Sequence, residues 1–328
     1  MITQLELKGF KSFVEQSIDI KPLTVLTGLN SSGKSSVIQA IRMIEALAKG
    51  KSAVLEGHGS IQEMRSRLAN AMRLSLSLTG GETFSYDGDV FCSSNGFIFP
   101  PVTYIGAHRL GATQTIPVHN DNYEIGEKGE NVLNCLNYYR DYPLDERLCP
   151  ASGEGLTLDY MVKGWLKYIS PNVKFDYSIE SKADISFSTY DGNRSANVGF
   201  GLSYTLPIIV ALLTSTIKPN SVVLIENPEA HLHPMGQTEM GRLIGLCVDC
   251  GSQVIVETHS DHLFDGIRIH TKRTAGFSDM WLAYWFELNG SHGTSVQTVR
   301  VYPNGKYQED CPKGFFDQFE INANELLF

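Results

Sequence analysis

The chain has 328 residues, of which 42% are hydrophobic and 19% are charged, as in ordinary soluble globular proteins. Its net charge of −9 argues against a molecule that binds nucleic acid electrostatically over its whole surface. The longest strongly apolar run, Leu206 to Leu213, is far shorter than the ~20 residues of a membrane span. The N-terminus does not resemble a signal peptide and the six cysteines form no disulfide framework, so we expect a cytoplasmic protein.

The first fifty residues predict three strands and a helix. The strands are Ile2–Leu7, Ser17–Ile20 and Leu23–Thr27, and the helix that follows ends near Gly50.

The stretch between the third strand and this helix fits the pattern G-x-x-x-x-G-K-[ST]. Its glycines permit a tight loop whose backbone N–H groups surround phosphate oxygens, and the helix N-terminus adds positive potential. A lysine suits the β- and γ-phosphates of ATP, and a serine hydroxyl suits Mg²⁺. We therefore predict ATP binding by Gly28, Asn30, Ser31, Ser32, Gly33, Lys34, Ser35 and Ser36.

Residues 51–195 are less regular. The patterns predict strands at Arg73–Leu78 and Val102–Gly106 and helices at Val132–Arg140 and Leu156–Ile169. They also predict a hairpin of Val173–Ile179 with Ile185–Tyr190. Arg42 to Arg73 carries six basic against three acidic residues, a local patch that could contact DNA, whereas His119 to Tyr160 is acidic.

From residue 196 the pattern is again dense. The loop Gly199–Ser203 opens an apolar helix over Leu206–Thr214, and a further helix begins at Pro234 and runs to about Cys247. Val222–Ile225 and Gln253–Val256 are continuously apolar, which is typical of parallel strands covered on both faces. The expected fold class is therefore α/β.

Acidic and polar residues follow the two apolar strands. Glu226 ends the first and is a candidate Mg²⁺ ligand together with Ser35, and Glu229 is a second carboxylate nearby. His259 follows the second strand, where it could bond a γ-phosphate oxygen or orient water.

Gly199–Ser203 predicts a second anion-binding helix start. One γ-phosphate does not need two such helix ends from one chain. We therefore predict a homodimer with ATP sandwiched at the interface, in which this loop reaches the nucleotide of the second copy.

Together these motifs resemble the ABC-type ATPase heads of the SMC, RecF and OLD group. They are most similar to stand-alone bacterial AAA-type predicted ATPases with a conserved tail of unknown function. The residues that carry the resemblance are Leu7–Phe13, Leu23–Ser36, Asn197–Ser203, Leu206–Ile208, Ile225–Pro234, Val256–His262 and the tail Pro312–Gln318.

The resemblance implies a P-loop NTPase fold with a two-lobe head. Residues 1–50 and 196–328 would form the nucleotide-binding lobe, with a parallel core sheet and antiparallel N-terminal strands. Residues 51–195 would form an inserted helical and hairpin lobe.

The resemblance also implies roles by position. Lys11 and Ser12 would lie near the base and ribose, and Arg109 near the site. Gly199, Gly201 and Ser203 would correspond to the ABC signature, which contacts ATP in trans. His231 would lie in a loop at the dimer interface, and His259 would be the switch histidine.

Two departures from the group bear on mechanism. Most ABC-type heads have Asp-Glu before the proline, whereas this chain has Glu226-Asn227. An asparagine cannot act as a general base, so Glu229 or Glu257 takes that role or hydrolysis is slow. No sustained heptads lie between the phosphate loop and the signature, so no long coiled-coil insertion is expected.

The resemblance and motifs favour an Mg²⁺-dependent switch ATPase that controls a separate effector, such as a nuclease, or its hold on DNA, in anti-phage defence or DNA maintenance. An ATP-gated sensor or scaffold with little hydrolysis is the alternative, and an ATPase subunit of a transporter is a lesser one.

The lone C-x-x-C of Cys247 and Cys250 is too weak a pattern to predict zinc. Core or interface packing is the preferred interpretation of Tyr138, Tyr139, Trp281 and Trp285 over stacking on bases.

Overall fold

The computed structural model describes residues 1–94, 98–113, 115–118, 122–151, 153–171, 173–308 and 311–327. The strands in chain order are β1 (Ile2–Phe10), β2 (Phe13–Asp19), β3 (Leu23–Gly28), β4 (Arg73–Leu78), β5 (Thr83–Tyr86), β6 (Phe91–Ser93), β7 (Val102–Ile105), β8 (Ile116–Pro117), β9 (Phe175–Glu180), β10 (Ile185–Tyr190), β11 (Asn193–Arg194), β12 (Val222–Glu226), β13 (Gln253–Glu257), β14 (Trp281–Leu288) and β15 (Thr294–Val299). The helices are α1 (Lys34–Ala48), α2 (Ile61–Met64), α3 (Val132–Tyr139), α4 (Leu158–Ile169), α5 (Phe200–Ser215), α6 (Pro234–Asp249), α7 (Asp261–Arg273) and α8 (Gln318–Leu327).

The chain forms two compact units. The first combines Met1–Pro100 with Ser278–Phe328, and the second is Pro101–Phe277. The predicted lobes, which divide the chain after residues 50 and 195, stay a prediction. Among the described residues, no helix has both the length and the apolar character needed to cross a membrane.

The first unit contains an antiparallel sheet with strand order β2-β1-β4-β5-β6. Leu5 and Leu7 of β1 are fully buried while their neighbours along the strand are exposed or half-buried. This alternation is what a sheet with one covered face requires. The predicted N-terminal strands and Arg73–Leu78 are confirmed, and β1 is longer than predicted.

A second group of strands in the first unit is β15-β14-β3. β14 runs parallel to β3 and antiparallel to β15. Every residue of β3 is buried, which explains its continuous apolar run. The sequence analysis did not predict β14 or β15, although Trp281 to Phe286 of β14 are buried apolar residues. The tail is anchored here, because buried Phe315 packs edge-on against Trp285 with ring centroids 5.9 Å apart.

The second unit contains the parallel strands β13-β12-β7. The register pairs Glu226 with Glu257, so the polar residues that follow β12 and β13 emerge at one edge. The predicted hairpin is confirmed as antiparallel β9 and β10, and the predicted helices correspond to α3, α4 and α6. The helix α7 was not predicted.

The apolar helix α5 begins at Phe200, earlier than the predicted start at Leu206. Gly201 and Ser203 therefore lie in its first turn and not in a preceding loop, which corrects the prediction. Pro207 lies inside the helix and cannot bond the carbonyl of Ser203. The helix persists because Ile208 to Leu213 are all buried, so packing outweighs the lost hydrogen bond.

Candidate nucleotide site

The loop between β3 and α1 has a backbone that depends on glycine. Gly28 has φ of +142°, and a Cβ there would lie 2.3 Å from the carbonyl oxygen of Phe286 in β14. No side chain fits at this position. Gly33 is the N-cap of α1 with φ of +106°, and Ser31 also has positive φ (+61°), which is rare outside glycine.

The polar groups of this loop fit a bound phosphate. The Lys34 ammonium is buried and bonds the carbonyl oxygens of Gly28 (3.0 Å) and Leu29 (2.7 Å). The N-cap of α1 is Gly33, which has no side chain to cap the helix, and the N-terminal end of a helix carries positive potential. The Ser32 hydroxyl is buried and has no hydrogen-bond partner within the described part of the chain.

The remaining predicted ATP-binding residues lie on or beside the same loop. Asn30 and Ser31 are exposed, Ser35 is half-buried and Ser36 is buried in the first turn of α1. Lys11 bonds the side chain of Gln39 in α1, and burial lowers the pKa of Lys11.

Ser12 is joined to the loop through a residue that the sequence analysis missed. Thr294, the first residue of β15, has its hydroxyl oxygen 2.7 Å from the Ser12 hydroxyl and 2.9 Å from the Ser32 carbonyl oxygen. The Thr294 N–H also donates to the Ser12 carbonyl at 2.9 Å. No pattern around Thr294 indicates this contact, because it joins residues more than 250 positions apart.

In the second unit, the predicted acidic residues meet polar groups at the ends of β12 and β13. One carboxylate oxygen of Glu229 accepts a bond from the His259 N–H, and the other accepts one from the Thr258 hydroxyl, both at 2.8 Å. Burial raises the pKa of Glu229, while these hydrogen bonds and Arg109 oppose the rise. A carboxylate with a raised pKa is suited to accepting a proton near neutral pH.

The backbone bends sharply after Glu226. Asn227 has φ of +47°, and its N–H donates to the carbonyl of Glu257 at 2.9 Å, which joins the ends of the two strands. The side-chain oxygen of Asn227 is buried without a partner in the described chain. The side chain of Glu226 accepts from the Ala107 N–H at 3.4 Å.

Arg109 holds this bend in place. It is 5% exposed, and its guanidinium donates to the carbonyl oxygens of Gly106 (2.8 Å), Glu226 (2.7 Å) and Asn227 (2.7 Å). Burial lowers the pKa of Arg109, and the charge of Glu229 opposes this. The resemblance placed Arg109 near the site, and two of its contacts lie on the backbone of Glu226 and Asn227. We call residues 226–229 the acidic segment.

The predicted in-trans residues also lie together within the second unit. Gly201 in the first turn of α5 is so close to His231 that a Cβ would lie 2.6 Å from the His231 carbonyl oxygen. The rings of Tyr204 and His231 are 4.8 Å apart, and Arg109 lies over the Tyr204 ring at 5.3 Å. His231 is exposed, whereas Ser203 is half-buried and lines a small cavity with Tyr190. Gly199 is the N-cap of α5, which no side chain caps.

The described residues contain no group of three or more His, Cys, Asp or Glu side chains that could hold a metal by themselves. Mg²⁺ commonly binds through one or two protein oxygens together with substrate phosphates. The Ser35 hydroxyl and the Glu226 carboxylate are each oxygen ligands of the kind that Mg²⁺ prefers, and their assignment to Mg²⁺ stays a prediction.

A family model described as "AAA ATPase domain" matches residues 1–74 and 148–264, which is more than half of the chain. The chain belongs to the AAA ATPase domain family. The match includes the phosphate loop, the first turn of α5 and the acidic segment, and it leaves out residues 75–147 and 265–328. No curated protein matches the chain.

Solved structures give the fold of this AAA ATPase domain. An Smc head domain with an extended coiled coil from Pyrococcus furiosus, bound to the C-terminal domain of ScpA, is similar with a TM-score of 0.55 and 14% identity, over 100% of this chain and 99% of that chain. The SMC head domain from Thermotoga maritima gives a TM-score of 0.48 and 16% identity, over 92% of this chain and 99% of that chain. The recombination mediator protein RecF gives a TM-score of 0.47 and 12% identity, over 90% of this chain and 98% of that chain. The predicted P-loop α/β fold of an SMC-type head is confirmed.

Proposed function

We propose that this AAA ATPase domain binds and hydrolyses ATP with Mg²⁺ and acts as a switch. The observation that carries the proposal is the loop of Gly28 to Ser36. It combines a buried lysine, a helix start with a glycine N-cap and the Ser32 hydroxyl, which is buried without a partner among the described residues, in a protein of the AAA ATPase family.

In this proposal the loop between β3 and α1 supplies the phosphate contacts. Lys34 exchanges its bonds to backbone carbonyls for phosphate oxygens, and the loop N–H groups and the Ser32 hydroxyl donate to the same anion. The Ser35 hydroxyl serves as a Mg²⁺ ligand. Lys11 and Ser12 contact the base and ribose.

The residues at and after the ends of β12 and β13 are proposed to supply the hydrolytic groups. We assign Glu226 to Mg²⁺, since its carboxylate ends β12. Glu229 accepts the proton of the attacking water, because burial has raised its pKa and a carboxylate can act as a base where Asn227 cannot. His259, whose N–H already bonds Glu229, senses the γ-phosphate.

ATP closes two copies into a homodimer in this proposal. Gly199, Gly201, Ser203 and His231 contact the nucleotide of the second copy. The close packing of Gly201 on the carbonyl of His231 supports a common role, since the two segments must move together. Closing and opening of the dimer would change how a partner is held.

The partner is proposed to be a separate effector protein such as a nuclease, in anti-phage defence or DNA maintenance. The setting rests on resemblance alone. The Smc head from Pyrococcus furiosus is bound to a domain of a separate protein, ScpA, which supports an arrangement of head and partner in general terms.

Phosphate release by the purified protein tests hydrolysis. We expect Lys34→Ala and Glu229→Gln to lose at least ~10² of the wild-type rate, because each removes a group that stabilises the transition state. Lys49→Ala is the matched control, since Lys49 is the C-cap at the other end of α1 and its exposed side chain pairs with Glu45 of the same helix. A wild-type rate equal to that of Lys34→Ala would refute the ATPase proposal.

Molar mass in solution, measured with and without ATP, tests the dimer. We use Glu229→Gln, which should bind ATP without turning it over. Doubling of the mass with ATP is expected, and its loss is expected in Gly201→Trp, which fills the first turn of α5. A monomer under both conditions at high concentration would contradict the in-trans roles.

An ATP-gated sensor with little hydrolysis is the second candidate. Asn227 is the residue that raises this alternative, because it stands where related heads carry a general base. Tight ATP binding and dimerisation by the wild type, with phosphate release no faster than in Glu229→Gln, would select the sensor.

A further inference from the structure

Four aromatic rings form a continuous strip on the second unit. Tyr123 and Tyr138 stack with centroids 3.9 Å apart, Tyr138 meets Tyr139 edge-on at 4.7 Å, and Tyr139 meets Tyr142 at 5.4 Å. We call these four residues the tyrosine strip. The rings share one surface although they come from a loop, the end of α3 and the turn after it.

The strip is both exposed and held in place. Tyr123, Tyr138 and Tyr142 expose 37%, 51% and 47% of their surface, so packing alone does not account for them. The segment before α3 is fixed by the Asn134 side-chain amide, which donates to the carbonyl of Asn122 at 2.6 Å. Rigid, exposed aromatic rings of this kind are typical of binding surfaces, because little entropy is lost on contact.

The charge around the strip favours a cationic partner. Residues 122–147 contain six acidic and three basic side chains, and two of the basic ones pair with acids of the same segment, Arg140 with Asp141 and Arg147 with Asp145. A cation already lies on the strip, since the Lys218 ammonium is 5.2 Å from the centroid of Tyr139. An acidic surface repels phosphate, so stacking on nucleic acid is disfavoured.

The strip lies in a part of the chain that the AAA ATPase domain model does not match, since residues 75–147 fall outside it. The phosphate loop and the carboxylates Glu226 and Glu229 lie on the matched segments. The tyrosine strip therefore lies outside the part of the chain that carries the family's motifs.

We propose that the tyrosine strip binds a basic, arginine-containing segment of a partner protein. Arginine suits both the tyrosine rings and the acidic side chains of this surface, because its planar guanidinium stacks on tyrosine faces and also bonds carboxylates. Lysine satisfies the charge but stacks less well. The binding surface is independent of the phosphate loop.

A short fluorescein-labelled peptide of alternating arginine and proline is the probe, with fluorescence anisotropy at fixed salt as the readout. We expect the double variant Tyr138→Ala/Tyr142→Ala to bind about tenfold more weakly than wild type. Tyr138→Phe/Tyr142→Phe should bind within about twofold, because the ring faces remain. A lysine-proline peptide should bind several-fold more weakly than the arginine peptide.

Tyr302→Ala is the matched control, since Tyr302 is 45% exposed on the other unit, and circular dichroism verifies the fold of each variant. Lys34→Ala should bind the peptide as wild type does, which separates this test from the ATPase proposal. Absence of peptide binding, or equal affinity in Tyr138→Ala/Tyr142→Ala and Tyr302→Ala, would overturn the proposal. Preference for a single-stranded oligonucleotide over the arginine peptide would overturn it as well.

Discussion

Replacing Arg109 by methionine removes the group that holds the bend after β12. Methionine retains much of the side-chain length and apolar stem but none of the five donors. The carbonyl oxygens of Gly106, Glu226 and Asn227 then lose their partner at once, and the cation over Tyr204 is lost as well.

The expected loss of stability follows from these contacts. The bond to Gly106 is buried, so an unsatisfied carbonyl there costs about 2 kcal/mol. The bonds to Glu226 and Asn227 are partly buried, and water replaces them at a cost of about 1 kcal/mol each. Removing a buried cation returns about 1 kcal/mol of desolvation. The net decrease in the free energy of unfolding is about 3 kcal/mol.

Denaturant unfolding followed by circular dichroism measures this decrease, provided that wild type and variant unfold with equal m-values. Arg140→Met is the control, because Arg140 is an exposed arginine of the same unit, paired with Asp141 at 3.6 Å; it should lose less than about 0.5 kcal/mol. A loss below about 1 kcal/mol for Arg109→Met would refute the reasoning that these three bonds hold the acidic segment.

Three further predictions concern single residues. Gly28→Ala forces a Cβ against the backbone of Phe286 at a φ that alanine avoids, so we expect a loss of about 2–4 kcal/mol in the free energy of unfolding and loss of ATP binding by calorimetry. Burial raises the pKa of Glu229, so the hydrolysis rate should fall as pH drops through that raised pKa. The contribution of Glu229 to stability should fall as pH rises through the same range, because the folded state binds the extra proton; the slope of stability against pH should therefore change in Glu229→Gln, and a slope equal to that of wild type would contradict the assignment. Asn227→Ala should be less stable than Asn227→Gly by about 1 kcal/mol in denaturant unfolding, because φ at this position is +47° and glycine tolerates positive φ better than alanine. Equal stabilities of the two variants would show that the bend is not strained.

The sequence predicts the elements that bear the phosphate loop and acidic cluster because each has an unambiguous local signal. β3 and β12 are continuous apolar runs, and the loop between β3 and α1 has a spacing that few other sites share. α7 and β14 were not predicted although both carry a local pattern, since Leu263, Phe264 and Ile267 recur at helical spacing and Trp281 to Phe286 is a continuous apolar run.

Other features depend on contacts that no local pattern encodes. The start of α5 depends on tertiary packing, since Leu202 and Thr205 are buried there, and this packing overrides the low helix propensity of glycine and serine and the proline that follows. The bonds of Arg109 go to backbone carbonyls more than a hundred residues away, and backbone acceptors are the same at every position. Thr294 is hidden for the same reason, because its partners include the carbonyl of Ser32.

The asparagine after Glu226 has a structural explanation that bears on the choice between an ATPase and a sensor. Its φ of +47° is a conformation that asparagine adopts readily and glutamate does not. The residue type at 227 is thus accounted for by the bend, whose N–H joins β12 to the carbonyl of Glu257 and whose carbonyl is held by Arg109. Asn227 therefore carries little evidence for lost catalysis. Glu229, two residues further on, is a carboxylate with a raised pKa and two hydrogen bonds to the end of β13, so the chain retains a group able to take a proton, and this weighs toward hydrolysis.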